Sequence, residues 1–155
     1  MIDTPNKDPL GQALKAYQAG LSTAEIQVVS DIAIDDVIPV EYLFRTEQDM
    51  PKWELTALDL CRGKVLDIGA GAGCHSLALQ NRGHEVVALE ISTGAVDIMT
   101  QSGIRHVEHG SLWDYQGGPY DTLLLMMNGI GLVGDFQGLR RRRGRRCTGN
   151  FNWRS

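Results

Sequence analysis

The residues best suited to chemistry lie in VLDIGAGAGCHSLAL, positions 65–79 of a 155-residue chain. Asp67 stands two residues before Gly69, and Gly71 and Gly73 follow at alternate positions. Glycines at such a bend permit positive φ and let the backbone approach a ligand with no Cβ in between. The helical pattern that begins at Cys74 aims free N–H groups at the same place, which favours negative charge there. Spacing then separates two kinds of ligand. A dinucleotide fingerprint, G-x-G-x-x-G, needs a third glycine at position 74 or 76, and this chain has Cys74 and Ser76. An acid just before the first glycine suits a ligand carrying an ammonium group better than one carrying a pyrophosphate. A second acid, Glu90, closes the next apolar run, EVVALE. Nicotinamide-binding folds share an acid in that place, so Glu90 gains weight only beside the acid–glycine loop.

The elements that must position these residues are legible in the apolar rhythm. Asp8 and Pro9 form an N-cap and first-turn pair, Leu10, Ala13, Leu14 and Tyr17 fall on one helical stripe, and Gly20 ends it. Alternation from Ala24 to Val28 predicts a short strand. Residues 30–46 are mixed and broken by Pro39, which predicts loop with some extended structure. A second helix is expected from about Met50 and Pro51, with Leu55, Leu58 and Cys61 inward. Beyond Gly63 the pattern repeats: KVLDI strand, CHSLALQNR helix, EVVALE strand, TGAVDIMTQS helix, then IRHVE and TLLLMM as strands. Apolar strands separated by helix-length segments imply an α/β fold, a parallel sheet with helices on both faces. Ligands of such sheets bind beyond the carboxyl ends of the strands, where strand order reverses. Residues 1–47 then form an N-terminal helix and extended segment, a candidate substrate lid. Residues 48–139 form the ligand-binding core, and 140–155 an arginine-rich tail.

The acid–glycine loop followed by an acid closing the second strand resembles the class I S-adenosylmethionine-dependent methyltransferases, a Rossmann-like family. The resemblance implies S-adenosyl-L-methionine as cofactor. By it, Asp67 holds the methionine end, and the loop from Gly69 through Ala70 and Gly71 to Gly73 lines the amino-acid moiety. Glu90 accepts hydrogen bonds from both ribose hydroxyls, and Ile91 packs on the adenine. After the third strand, where the family often carries an acid near the adenine amino group, this chain has Ser111 and then Leu112, with Asp114 a turn later. After the fourth strand the resemblance puts Asn128 at the mouth of the site. No Pro-Pro-aromatic run follows Asn128, which disfavours the amino-group methylases that act on nucleic-acid bases. The implied activity is methyl transfer; the acceptor is unidentified, and a small molecule is favoured because no basic nucleic-acid surface precedes residue 140. A sulfonium is a good leaving group and needs no dedicated base, so no catalytic residue is named.

Other features carry plainer readings. Cys61, Cys74 and Cys147 show no CxxC spacing, which predicts reduced thiols, no zinc site and a cytoplasmic protein. No secretory signal and no apolar run of membrane-span length is visible. His106 and His109 lie on a strand facing opposite sides and make poor metal ligands. A lowered pKa at the helix start beside the loop is one reading of Cys74; packing there, with His75, is the favoured one. Tyr42, Phe44 and Arg45 read either as a lid or as a buried aromatic pair with a surface arginine. Seven of the 15 basic residues fall in positions 140–155, so residues 1–139 carry 8 basic against 19 acidic side chains, a net −11. That tail, with Phe151 and Trp153, reads either as a nucleic-acid-binding arm or as a truncation or frame change within an expected helix. On the second reading the seven-stranded fold is incomplete after its fourth strand. TLLLMM then becomes an apolar edge, and activity is impaired or lost. Two other classes stay open: an NAD(P)-binding oxidoreductase, disfavoured by Cys74, and a non-catalytic module using its tail on nucleic acid.

Overall fold

A computed structural model of the chain describes residues 8–28 and 36–126. Helix α1 spans Pro9–Gln18, with Asp8 accepting a hydrogen bond from Gly11 N (2.9 Å) and proline in its first turn. Leu14 on its inward stripe is fully buried, with Leu10, Ala13 and Tyr17 packed beside it. The chain turns at Gly20, whose φ of 105° a side chain would oppose. Strands β1 (Glu25–Val28) and β2 (Asp36–Pro39) pair antiparallel as a separate ribbon, Ile26 opposite Ile38. Two 3-10 turns, Val40–Phe44 and Glu47–Asp49, lead through Pro51 into helix α2 (Lys52–Leu60).

The second sheet holds the motifs. Its strands are β3 (Lys64–Ile68), β4 (Glu85–Glu90), β5 (Val107–His109) and β6 (Thr122–Leu124), all parallel, in the order β5-β4-β3-β6. Helices α3 (Cys74–Asn81) and α4 (Thr93–Gln101) connect β3 to β4 and β4 to β5. The chain therefore steps outward from β3 on one side and returns at β6 to the other. Strand order reverses at β3, and the glycine loop leaves its carboxyl end. IRHVE and TLLLMM are narrower as strands than their apolar patterns imply, three residues each.

Alternation along β3 and β4 sorts the core into two faces. On one, Val65, Val86 and Leu124 pack with Leu58 and Cys61 of the α2 segment and Ala78 and Leu79 of α3. Ala88 on the same face meets Met99 of α4 and Ile104. On the other, Leu66, Ile68, Val87 and Leu89 cluster with Leu112, Tyr115, Tyr120 and Leu123. The described helices thus cover the first face, and the irregular segment 112–120 contributes cover to the second. Helix α1 lies outside this layer, packed on α4 through Leu14, Ala95 and Ile98.

Candidate functional site

The loop after β3 bends as its glycines require: φ is 70° at Gly69, 59° at Gly71 and 83° at Gly73. Two of these glycines serve different ends. A Cβ at Gly73 would lie 2.4 Å from Ile104 Cδ1 and 2.8 Å from Met99 Cγ, so the loop is pressed against the α4 layer there. At Gly71 a Cβ would meet no described atom within 4 Å, so the bend is open toward a ligand. The loop's N–H groups turn inward. Gly69 N and Ala70 N donate to Leu89 O (2.9 and 3.2 Å), and Gly73 N donates to Ala70 O (2.9 Å). Gly71 N donates to Glu90 Oε2 (2.8 Å). Anion-binding glycine loops present those donors to phosphate; these four are spent within the protein.

The helix start beside the loop does attract negative charge, and the protein itself supplies it. Asp67, only 1% exposed, accepts from Ser76 Oγ (2.7 Å) in the first turn of α3. Desolvation pushes its pKa above the ordinary carboxylate value, and the charge of Glu90 adds to that, against the pull of Ser76 and His75. Glu90 is 5% exposed and clamped by three backbone donors: Ile91 N (2.8 Å) and Ser92 N (2.9 Å) on Oε1, and Gly71 N on Oε2. A carboxylate offers about four acceptor positions, so ribose hydroxyls would share Glu90 with the backbone. Among the described residues no lysine or arginine forms an ion pair with either acid. Ile91, by contrast, is 67% exposed at the rim.

The remaining candidates divide. Ala70 is buried with Ala88 and Met99. Ser111 is half-buried and folds into a local turn, its Oγ accepting from Trp113 N (3.2 Å). Leu112 turns into the second face of the sheet with Leu66 and Leu89. Asp114 is exposed. Asn128 and the arginine-rich tail lie outside the described residues. Burial pushes the Cys74 thiol up to about 11, which agrees with its packing role at the helix start rather than with a lowered pKa; desolvation there outweighs the nearby Arg45 charge. His109 Nε2 sits 2.9 Å from Ile91 O, and no group of three metal-ligating side chains occurs among the described residues.

A second cluster escaped the sequence reading. Arg45 is buried rather than a surface arginine, and it grips Glu54 twice, Nη2 to Oε1 at 2.6 Å and Nε to Oε2 at 3.1 Å. His75 Nε2 lies 3.1 Å from Glu54 Oε2, and Cys74 Sγ lies 3.7 Å from His75 Nδ1. The Tyr42 hydroxyl donates to Glu54 Oε1 (3.3 Å), with the guanidinium 3.9 Å above its ring. Phe44 stacks instead on Tyr17, 5.0 Å between centroids. Burial pulls the Glu54 pKa up, yet hydrogen bonds from Arg45 and His75 outweigh it and hold it below the ordinary value. The signal was present: Glu54, Leu58 and Cys61 share the i, i+4, i+7 stripe of α2, which places a carboxylate on its buried face.

Over 88% of its length the chain is similar to the crystal structure of a SAM-dependent methyltransferase from Bacteroides fragilis in complex with S-adenosyl-L-homocysteine, at 37% sequence identity and a TM-score of 0.79. It spans 59% of that protein's length. No protein-family model matches the chain. The fold is that of the class I S-adenosylmethionine-dependent methyltransferases, a Rossmann-like α/β sheet of which the described residues supply four parallel strands.

Proposed function

We propose that this chain binds S-adenosyl-L-methionine at Asp67, the Gly69–Gly73 bend and Glu90, and serves methyl transfer to a small-molecule acceptor. The observation that carries the reading is a charge deficit: two adjoining buried carboxylates have no Lys or Arg ion pair among the described residues, while four of the loop's N–H groups are spent inward. Such a site favours a cationic ligand that brings hydroxyl donors. S-adenosylmethionine carries an ammonium, a sulfonium and a vicinal diol. The solved relative, crystallised with S-adenosyl-L-homocysteine, supports the choice.

In this reading Asp67 takes the ammonium end, the Gly71 bend admits the amino-acid chain without a Cβ in its way, and Glu90 accepts the ribose hydroxyls. Ile91 offers an apolar surface to the adenine, with Ser111 and Leu112 expected nearby. Bound there, the cofactor supplies an electrophilic methyl group for in-line displacement. The chain's own contribution is orientation, worth several orders of magnitude in rate when reacting atoms are held in line. A small acceptor is favoured because residues 1–139 carry a net −11, a poor surface for nucleic acid. No described helix is long and apolar enough to cross a membrane, and the unpaired cysteines fit a reducing, cytoplasmic setting.

Calorimetric titration with S-adenosyl-L-homocysteine tests the reading. Saturable one-site binding is expected, and its absence would overturn it.

A further inference from the structure

Asp8 caps two helices at once. Its Oδ1 accepts from Gly11 N (2.9 Å) and Ser92 Oγ (2.6 Å), and its Oδ2 accepts from Gly94 N (2.8 Å) at the start of α4. The two helices meet at glycines: a Cβ on Gly11 would lie 2.6 Å from Gly94 Cα, and one on Gly94 would lie 2.5 Å from Gly11 Cα. Only that close approach lets one carboxylate reach both helix starts. Burial pulls the Asp8 carboxyl up, but hydrogen bonds from Ser92, Gly94 and Gly11 outweigh it and hold the pKa below the ordinary value. Asp8 therefore stays ionised at neutral pH, where its bonds are charge-assisted.

Ser92 passes the connection on. Its Oγ donates to Asp8 and accepts from Ala95 N (3.0 Å), while its backbone N donates to Glu90 Oε1 (2.9 Å). Glu90 in turn holds Gly71 N through Oε2. An unbroken chain of hydrogen bonds runs from the N-terminal helix through Asp8, Ser92 and Glu90 to the open bend of the glycine loop. The other described polar link between α1 and α4, Lys15 to Asp97 (2.6 Å), is half-exposed and reaches neither acid of the site.

We infer that Asp8 is a positioning residue for the cofactor site: through Ser92 it fixes the rotamer of Glu90, so that the Asp8 cap, rather than the apolar docking of α1, is coupled to occupancy of the site. The inference rests on the cofactor reading above. Coupling of this kind is reciprocal, so ligand binding tightens the Asp8–Ser92 cap of α1 and that cap tightens ligand binding.

Titrations with S-adenosyl-L-homocysteine on the full chain, Asp8→Ala, Asp8→Asn and Leu14→Ala test it. Leu14→Ala weakens the same helix through its apolar stripe without touching the hydrogen-bond chain. Asp8→Ala is expected to weaken binding about tenfold, the size of one charge-assisted link. Asp8→Asn, which keeps an acceptor for Ser92 but not the charge, recovers part of that loss. Leu14→Ala lowers the unfolding midpoint at least as far but leaves affinity within about twofold of the unaltered chain. Hydrogen exchange across residues 10–18 slows on adding the ligand in the unaltered chain and does not in Asp8→Ala. Unchanged affinity in Asp8→Ala, or an equal loss in Leu14→Ala, overturns the coupling and leaves Asp8 a plain helix cap. An unaltered chain that binds nothing overturns the cofactor reading and this inference together.

Discussion

Two clusters in this protein bury carboxylates, and they are finished differently. Glu54 is fully buried and receives a guanidinium on both oxygens and a histidine besides. Asp67 and Glu90 are almost as deeply buried, yet their partners are hydroxyl and backbone donors, with no Lys or Arg ion pair among the described residues. Taking a carboxylate out of water costs several kcal/mol unless charge and hydrogen bonds compensate. At Glu54 a guanidinium and a histidine supply that compensation; at Asp67 a serine hydroxyl supplies less than desolvation costs. The opposite pKa directions, lowered at Glu54 and raised at Asp67, record the same difference. A completed cluster is architecture. An incomplete one is where the proposed cofactor would bring its cation.

The largest effect is expected at the completed cluster. Arg45→Met strands Glu54 in the core and should cost about 3–5 kcal/mol in urea unfolding. A cost under about 1 kcal/mol would mean that the cluster is no architectural unit. Asp67→Asn should do the reverse, lowering affinity for S-adenosyl-L-homocysteine about a hundredfold while leaving stability unchanged or up to about 1 kcal/mol higher. If it instead destabilises as strongly as the Arg45 change, the contrast between the clusters fails. Gly71→Ala comes next. Its φ of 59° costs about 1 kcal/mol, and a Cβ in otherwise open space should weaken binding about tenfold, read by parallel denaturation and calorimetry.

Proton linkage gives the smallest and most diagnostic signal. The Asp67 pKa in the folded chain is raised above its ordinary 3.8. Its contribution to stability is therefore full below that value and is lost as pH rises through the raised one. Glu54 has the opposite sign: its contribution is present above its ordinary 4.5 and is lost as pH falls through its lowered value. A cationic ligand favours ionised Asp67, so binding should release protons and strengthen as pH rises through the Asp67 transition. Calorimetry in buffers of different ionisation enthalpy measures that release; proton uptake would contradict the assignment.

Local rules carried far through this sequence. The Asp8–Pro9 start and Gly20 stop of α1, the strands at KVLDI and EVVALE, and the positive-φ bend between them each depend on residues adjacent in the chain. What was not legible depends on partners brought from elsewhere. β2 exists because Ile38 finds Ile26 across a ribbon, not because Asp36–Pro39 alternates in burial. IRHVE pairs with Ala88–Glu90 only from Val107 onward, so register with β4 decided its start. A glutamate on a short helix reads as solvated until Arg45 and His75, nine and 21 positions away, arrive beside it. At the site, the acids and glycines were readable by type. That four loop donors point inward and that the Ser76 hydroxyl of α3 turns back to Asp67 were not, because both depend on Leu89, Glu90 and Ser76 in three dimensions.

The most direct test compares two ligands that differ in the charged end. S-adenosyl-L-homocysteine carries the ammonium that Asp67 is proposed to receive, and 5′-methylthioadenosine shares the adenosine and thioether but lacks the amino-acid group. Titrated against the unaltered chain at neutral pH, the first should bind at least about thirtyfold more tightly, and Asp67→Asn should erase most of that margin. Equal affinities in the unaltered chain, or a margin untouched by Asp67→Asn, would contradict the claim that the buried acid awaits a cation.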